Sequence, residues 1–161
     1  MSIPGTRAAG NGIEKRFMRN GSAAGSSKAF LDTNILIYAL DKDEPEKQQR
    51  SRSLLVDLGC TRSGVISTQI LQEVFSVAMR KLKLSPLGAR AVVRDLSAYD
   101  LVQVNPAIIE SAMDCVILQR ISIWDALIVA AAAAAGCRTL YTEGLQADST
   151  ILGVRVENPL A

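Results

Sequence analysis

Short apolar runs recur along this chain between stretches of helical periodicity, and that alternation restricts the fold more than any single residue does. Lys28–Leu31, Gly64–Ile66, Leu101–Val104, Arg138–Thr142 and Val154–Val156 have strand length and strand character. Between them, residues 34–40, 46–58, 68–82, a segment opening at Ser85-Pro86, residues 106–119 and the stretch from Ser122 to Gly136 read as helices. Pro45 suits a first helical turn, where no N–H is needed. Ile70, Val74 and Ala78 recur at helical spacing behind Thr68, which is read as the cap of that helix. Ser122 is read as the cap of the Ala-rich helix, whose Ala131–Ala135 run lets another backbone approach closely. Short strands separated by helices imply an α/β fold with a mostly parallel sheet, because parallel neighbours need a crossover between them.

No internal repeat or second domain is visible, so residues 28–161 are expected to form one domain. A chain of 161 residues buries about two-thirds of its unfolded surface. Residues 1–27 differ in kind. They hold five of the eleven glycines, with Ser, Ala and Arg, and have no apolar run of signal-peptide type. They are expected to be a flexible basic tail, in which Met18 offers a second candidate start. Residues 1–30 carry Arg7, Lys15, Arg16, Arg19 and Lys28 against Glu14, a balance of +4 within a whole-chain charge of +2. The remaining body is therefore weakly acidic, and bulk charge does not by itself announce nucleic-acid binding. The longest apolar run, Ala126–Cys137, is too short for a membrane span and fits a buried helix.

The chain has no histidine. That excludes Ser-His-Asp and Cys-His nucleophiles, imidazole acid–base chemistry and His-ligated zinc. Cys60, Cys115 and Cys137 are scattered without CxxC spacing, which argues against a zinc site. Catalysis, if present, must use carboxylates, Lys, Ser/Thr or Tyr, with or without a hard cation.

In open α/β sheets, ligands gather at the carboxyl ends of the strands. Asp32 ends the first strand in "AFLDTNILIYAL", followed by the oxygen-bearing Thr33 and Asn34; alone, it reads equally as a helix N-cap. Asp125, three residues after Ser122, also fits a capping box. Glu73 lies within the helix "STQILQEVFSVAMRKL", where a solvated edge is its plain reading. As a set the three differ from their sum. Carboxylates on three successive α/β units, all near one edge of the sheet, repel unless a cation sits between them. Mg²⁺ and Mn²⁺ favour such hard oxygen donors, and a site of this kind activates water and stabilises charge on a phosphodiester.

"FLDTNILIYALD", "STQILQEVFSVAMRKL", "ISIWDALIVAAAAAAGCRTLYTE" and "GVRVENPL" together resemble the PIN domain, and more closely the VapC-type toxin ribonucleases of bacterial toxin–antitoxin pairs. The resemblance covers roughly residues 28–160 and implies a PIN-like fold and a cytoplasmic Mg²⁺- or Mn²⁺-dependent endoribonuclease. Its partners would be RNA, a cognate antitoxin and a second copy of the chain. It implies that Asp32 and Asp125 are the main metal ligands, that Glu73 binds metal or positions the attacking water, and that Asn34 and Ser122 orient them. Family members commonly carry a fourth acid after the last central strand, in "TED" or "SED". Here the chain reads "TEG", so Gly144 stands where the Asp is expected. Glu143 is then the substitute ligand if the turn bends it inward, with Asp148 as another candidate from the following loop; the alternative is a three-acid site with weaker or single-metal binding.

Arg80, Lys81 and Lys83 extend the helix of Glu73, and are candidates for RNA phosphates or for a solvated helix end. The cluster Lys42, Lys47, Arg50 and Arg52, mixed with acids, reads as a solvated face. Trp124 is expected in the core or at an interface rather than stacked on a base. Two alternatives stay open beside the nuclease: a PIN-fold protein that has lost activity and only binds RNA or a partner, and a receiver-like regulator with a phosphorylatable Asp.

Overall fold

Ala29–Leu31 form the central strand, β1, and all three residues are buried. The computed structural model describes residues 26–161, so the expected tail, 1–27, lies outside the described residues except at Ser26 and Ser27. On one side β1 pairs with β2 (Gly64–Ser67), and on the other with β4 (Thr139–Tyr141), both parallel. β3 (Asp100–Val102) closes the β2 side, while β6 (Val154–Glu157) and β5 (Thr150–Ile151) extend the β4 side, giving the order β3-β2-β1-β4-β6-β5. Only β5, paired to β6, runs antiparallel.

The crossovers are helical: α1 (Thr33–Tyr38), α2 (Pro45–Thr61), α3 (Thr68–Arg80), α4 (Pro86–Asp95), α5 (Pro106–Gln119) and α6 (Ile123–Ala134). Each follows from local chemistry. Ser85, Asn105 and Ser122 cap α4, α5 and α6 through their side-chain oxygens, satisfying amide groups that a helix start leaves open. Ile70, Val74 and Ala78 form the fully buried stripe of α3. α6 is buried from Ala126 to Ala132 and packs on α5 and against β2, β4 and β6. Small side chains allow that approach, and at about 25 cal/mol per Å² the apolar area so removed from water is the main stabilising term.

The expected α/β architecture is present as a single domain, with element ends shifted by a few residues and some differences in detail. The cap of α3 is Ser67, not Thr68. The Thr68 hydroxyl instead accepts the Val104 N–H at 3.2 Å, tying the start of α3 to the chain leaving β3. β3 begins at Asp100, one residue earlier than expected, and as an edge strand leaves Leu101 about half exposed. β5 was not anticipated. It is made by a two-residue turn in which Leu152 and Gly153 both have positive φ, 50° and 77°, the backbone that suits a tight hairpin. The close packing at Gly64 has its own reason: a Cβ there would lie 2.6 Å from the Tyr99 ring. Among the described residues no single helix is long and apolar enough to cross a membrane.

Candidate functional site

β1 ends at Leu31, and the next residue, Asp32, is the N-cap of α1, its Oδ1 accepting the Thr33 N–H at 2.6 Å. The cap reading and the ligand reading of Asp32 are thus compatible, because its second oxygen faces elsewhere. Oδ2 accepts the Thr142 hydroxyl at 2.6 Å and the Asn34 amide at 3.2 Å. Thr142 follows β4 directly and is fully buried; its oxygen also accepts the Gly144 N–H at 3.0 Å. Parallel pairing of β1 with β4 is what sets these two strand ends side by side.

Glu73 comes from the second turn of α3. Its Oε2 accepts the Thr33 hydroxyl at 2.6 Å and its Oε1 the Gln69 amide at 2.8 Å. Thr33 therefore bridges the two acids, with its N–H on Asp32 and its hydroxyl on Glu73. The Gln69 amide donates also to the Trp124 carbonyl at 3.2 Å, fixing α3 against the start of α6. There, Ser122 Oγ donates to Asp125 Oδ2 at 2.9 Å and accepts the Asp125 N–H at 3.1 Å. The capping pair and the oriented carboxylate are one arrangement.

A cleft of about 350 Å³ opens at this edge of the sheet, lined by Asp32, Asn34, Glu73, Trp124, Asp125 and Gly144. Burial pushes the Asp32 carboxyl above its ordinary range, the Thr142 and Thr33 hydrogen bonds pull it back, and the charges of Glu73 and then Asp125 add to the rise. Among the described residues, none of these three acids takes part in an ion pair. Nor do three acidic or thiol side chains there close into a ready-made cation cage. The hydroxyl and amide donors named above hold the carboxylates around the cleft and not on one point. The donor set, all oxygen and uncompensated, still suits a hard divalent cation that keeps part of its water shell.

Glu143 is placed differently from the inward-bending ligand anticipated for it. Its carboxylate pairs with Lys47 in the first turn of α2 at 2.5 Å, and the Lys47 ammonium holds the Glu143 carboxyl below its usual range. Asn34 Oδ1 accepts the Glu143 N–H at 3.3 Å, so the backbone of this loop, not its acid, is tied to the site. Asp148 is also away from it, paired to Arg155 at 3.2 Å across the β5–β6 hairpin. Lys47 belongs to this loop contact and is not simply part of a solvated face.

Of the basic trio, Lys81 lines the cleft; Arg80 and Lys83 are exposed. The Lys81 ammonium lies 2.9 Å from Asp41 Oδ2 and 4.4 Å from the centre of the Tyr38 ring. Trp124 is not in the core, one of the two places expected for it, but 65% exposed on the cleft wall. As the second residue of α6 it precedes the buried face that starts at Ala126. Sequence reasoning passed over Thr142, Gln69 and Tyr38, and it read Asp41 as one acid of a solvated face, whereas Asp41 is buried and paired with Lys81. The one available signal was the Thr directly before Glu143-Gly144, at the end of an apolar strand parallel to β1.

Residues 29–149 match the family model of the PIN domain. Solved structures with the same fold include a VapBC2 complex from Rickettsia felis bound to a promoter DNA fragment, at 21% identity and a TM-score of 0.61, covering 81% of this chain and 97% of that one. A DNA-bound VapBC from Salmonella typhimurium gives 22% identity and a TM-score of 0.60, over 83% of this chain and 99% of the other. VapC20 of Mycobacterium tuberculosis, described as a sarcin–ricin loop cleaving toxin, gives 15% and 0.53 over 70% and 87%. At these identities the likeness is one of fold. No curated protein sequence matches the chain.

Proposed function

Because this chain belongs to the PIN-domain family, we propose that it is a divalent-metal-dependent endoribonuclease of the VapC type, the toxin of a toxin–antitoxin pair. The observation that carries this is the acid cluster itself: Asp32, Glu73 and Asp125 face one cleft at the carboxyl edge of the sheet, one of them buried, without a cationic partner among the described residues. Such a cluster is held at a cost unless a cation joins it.

In this reading Asp32 and Asp125 would hold Mg²⁺ or Mn²⁺, and Glu73 would bind the same ion or accept the proton of the attacking water. When bound, the ion polarises a phosphoryl oxygen and lowers the pKa of coordinated water. The chain's own work is orientation. Thr142, Asn34 and the Thr33 N–H aim Asp32; Thr33 Oγ1 and Gln69 fix both oxygens of Glu73; Ser122 fixes Asp125. Residues so held lose little entropy when substrate arrives. The VapBC complexes that share the fold support an antitoxin partner; RNA as substrate, a homodimer and a cytoplasmic location belong to the same proposal.

Total RNA incubated with the full chain and Mn²⁺ or Mg²⁺ tests this. Cutting is expected with the wild type, and loss of cutting in EDTA and in Asp32→Asn, Glu73→Gln or Asp125→Asn. A second reading has its own observation. Gly144 stands at the usual fourth-acid position and Glu143 is occupied by Lys47, as in a PIN domain that binds RNA without cutting it. RNA bound but left intact by the wild type, and cut by Gly144→Asp, would favour that reading. A match to the PIN model leaves the receiver-like alternative without support.

A further inference from the structure

From Val74 to Arg94 the chain carries five cations, Arg80, Lys81, Lys83, Arg90 and Arg94, and no acid. The net charge of the whole chain is only +2, so everything outside this stretch is acidic in sum. The fold keeps the five together. α3 ends at Arg80, α4 starts at Pro86, and the two helices pack on each other as a hairpin. Lys81 lines the cleft, and the other four side chains are exposed.

Among the described residues, Lys81 alone of the five has an ion-pair partner, Asp41. Of the four exposed cations, helix dipoles account for Arg80 and Arg94, which stand in the last turns of α3 and α4. They account for neither of the other two. Lys83 sits in the connecting turn at φ 56°, a left-handed backbone where glycine or asparagine is the ordinary choice. Arg90 is in the middle of α4. That helix turns Ala89 into the core and packs Val92 and Val93 against it, which sends Arg90 and Arg94 to the outer side, about 6 Å apart along the axis. Uncompensated like charges repel one another, and a polyanion laid along them removes the repulsion and releases counterions.

We propose that the outer side of the α3–α4 hairpin is an exosite for the RNA backbone. A strand leaving the cleft past Lys81 runs over Lys83 and along α4, with phosphates at Arg90 and Arg94. This rests on the ribonuclease reading above and adds a binding surface outside the cleft. It makes long RNA a better substrate than short RNA whichever bases fill the cleft, because phosphate contacts carry no sequence information.

The test uses the full chain as Asp32→Asn with Mg²⁺, so that RNA is bound and not cut. Labelled single strands of five and thirty nucleotides are titrated across a salt series. Arg90→Gln with Arg94→Gln is expected to lower the slope of log affinity against log salt by about 1.4 on the long strand, two single-strand phosphate contacts, and to leave the short strand unchanged. Arg90→Lys with Arg94→Lys keeps both charges and is expected to keep the slope. Arg62→Gln with Arg138→Gln, two exposed cations just before β2 and β4 at the opposite edge of the sheet, should change neither strand. With the three acids intact, the Arg90 and Arg94 glutamine pair should lower kcat/KM for the long strand and leave Mn²⁺ affinity as it is.

An unchanged slope on the long strand overturns the inference. An equal loss on both strands overturns it too, by placing the effect in the cleft or in the fold. So does polyglutamate that loses affinity in the glutamine pair while long RNA does not, which would assign the hairpin to an acidic protein partner. In each of these cases metal-dependent cutting by the wild type leaves the ribonuclease reading standing. If the wild type neither binds nor cuts RNA, both readings fall together.

Discussion

Lys47 holds the Glu143 carboxylate at 2.5 Å across 96 residues of sequence, and this pair fixes how the loop after β4 meets the cleft. With its acid turned to α2, the loop presents to the site only backbone and the bare Cα of Gly144. A Cβ at Gly144 would meet Thr142 Oγ1 at 3.6 Å and Asn34 Nδ2 at 3.8 Å, ordinary contact distances.

Gly144→Asp should therefore fold and place a fourth carboxylate beside Asp32. The expected result is tighter Mn²⁺ binding, by about tenfold, the order that one added anionic ligand brings. Glu143→Gln, by contrast, should change Mn²⁺ affinity far less than Asp32→Asn does. Isothermal titration with Mn²⁺ compares the three variants. A loss of affinity in Glu143→Gln equal to that in Asp32→Asn would mean that Glu143 leaves Lys47 to bind metal.

Asp32 should contribute a component of stability to the metal-free protein that falls as pH rises from the ordinary carboxylate range toward neutrality, opposed by the contributions of Asp41 and Glu143. Asp32 has a folded-state pKa above its unfolded one, so in that window the folded state holds more protons. The derivative of unfolding free energy with pH is then negative. Thermal melts in EDTA between pH 4 and pH 7 test this, and the slope in Asp32→Asn should be shifted toward stability rising with pH, by loss of the falling component. An unchanged slope in that variant would assign the effect to other groups. Added Mn²⁺ should reverse the trend, because it binds the deprotonated form.

Thr142→Val keeps the shape of a buried residue but removes a hydroxyl that donates to Asp32 and accepts from Gly144. An expected cost of about 1–3 kcal/mol follows from leaving these partners unsatisfied, read from urea unfolding. Asp32 should also become easier to protonate, since the Thr142 bond favours its charged form. Thr142→Ser should recover most of the loss. A Thr142→Val protein as stable as the wild type would show that water or Asn34 replaces the hydroxyl.

Asp41 is buried, accepts the Asp43 N–H at 3.1 Å and pairs with Lys81, whose ammonium holds the Asp41 carboxyl below its usual range. The depressed folded pKa means that the contribution is present above the unfolded value and fades as pH falls through the folded one. Lys81 is half in solvent, so screening limits the pair to about 0.5–1 kcal/mol. Asp41→Asn should lose that amount at pH 7 and match the wild type in strong acid. A deficit that persists in acid would locate the effect in the turn at Asp43 and not in the charge pair.

The architecture and the three acids were legible in the sequence because each rests on local pattern. Ile70, Val74 and Ala78 mark the buried stripe of α3 by spacing alone, and Asp32, Glu73 and Asp125 stand on elements whose carboxyl edge is set by parallel pairing. What was not legible depends on contacts remote in sequence. Lys47 and Glu143, or Asp41 and Lys81, give no mutual signal until β1 and β4 are side by side and α3 has packed on α1. β5 escaped because two residues have no periodicity and Leu152-Gly153 is an unusual hairpin pair. Of the two places expected for Trp124 its exposure excludes the core, because hydrophobicity alone does not say that the first turn of α6 precedes the buried face.

β1 occupies the middle of the sheet, yet one of its two neighbours, β4, is made of residues 139–141. During synthesis, Asp32 emerges early and waits for Thr142, 110 positions later. A nascent chain that stops short of β4 carries all three acids but has neither the strand that flanks Asp32 nor the hydroxyl that aims it. The hydroxyl that aims Asp32 is thus available only once residues 139–142 have been made.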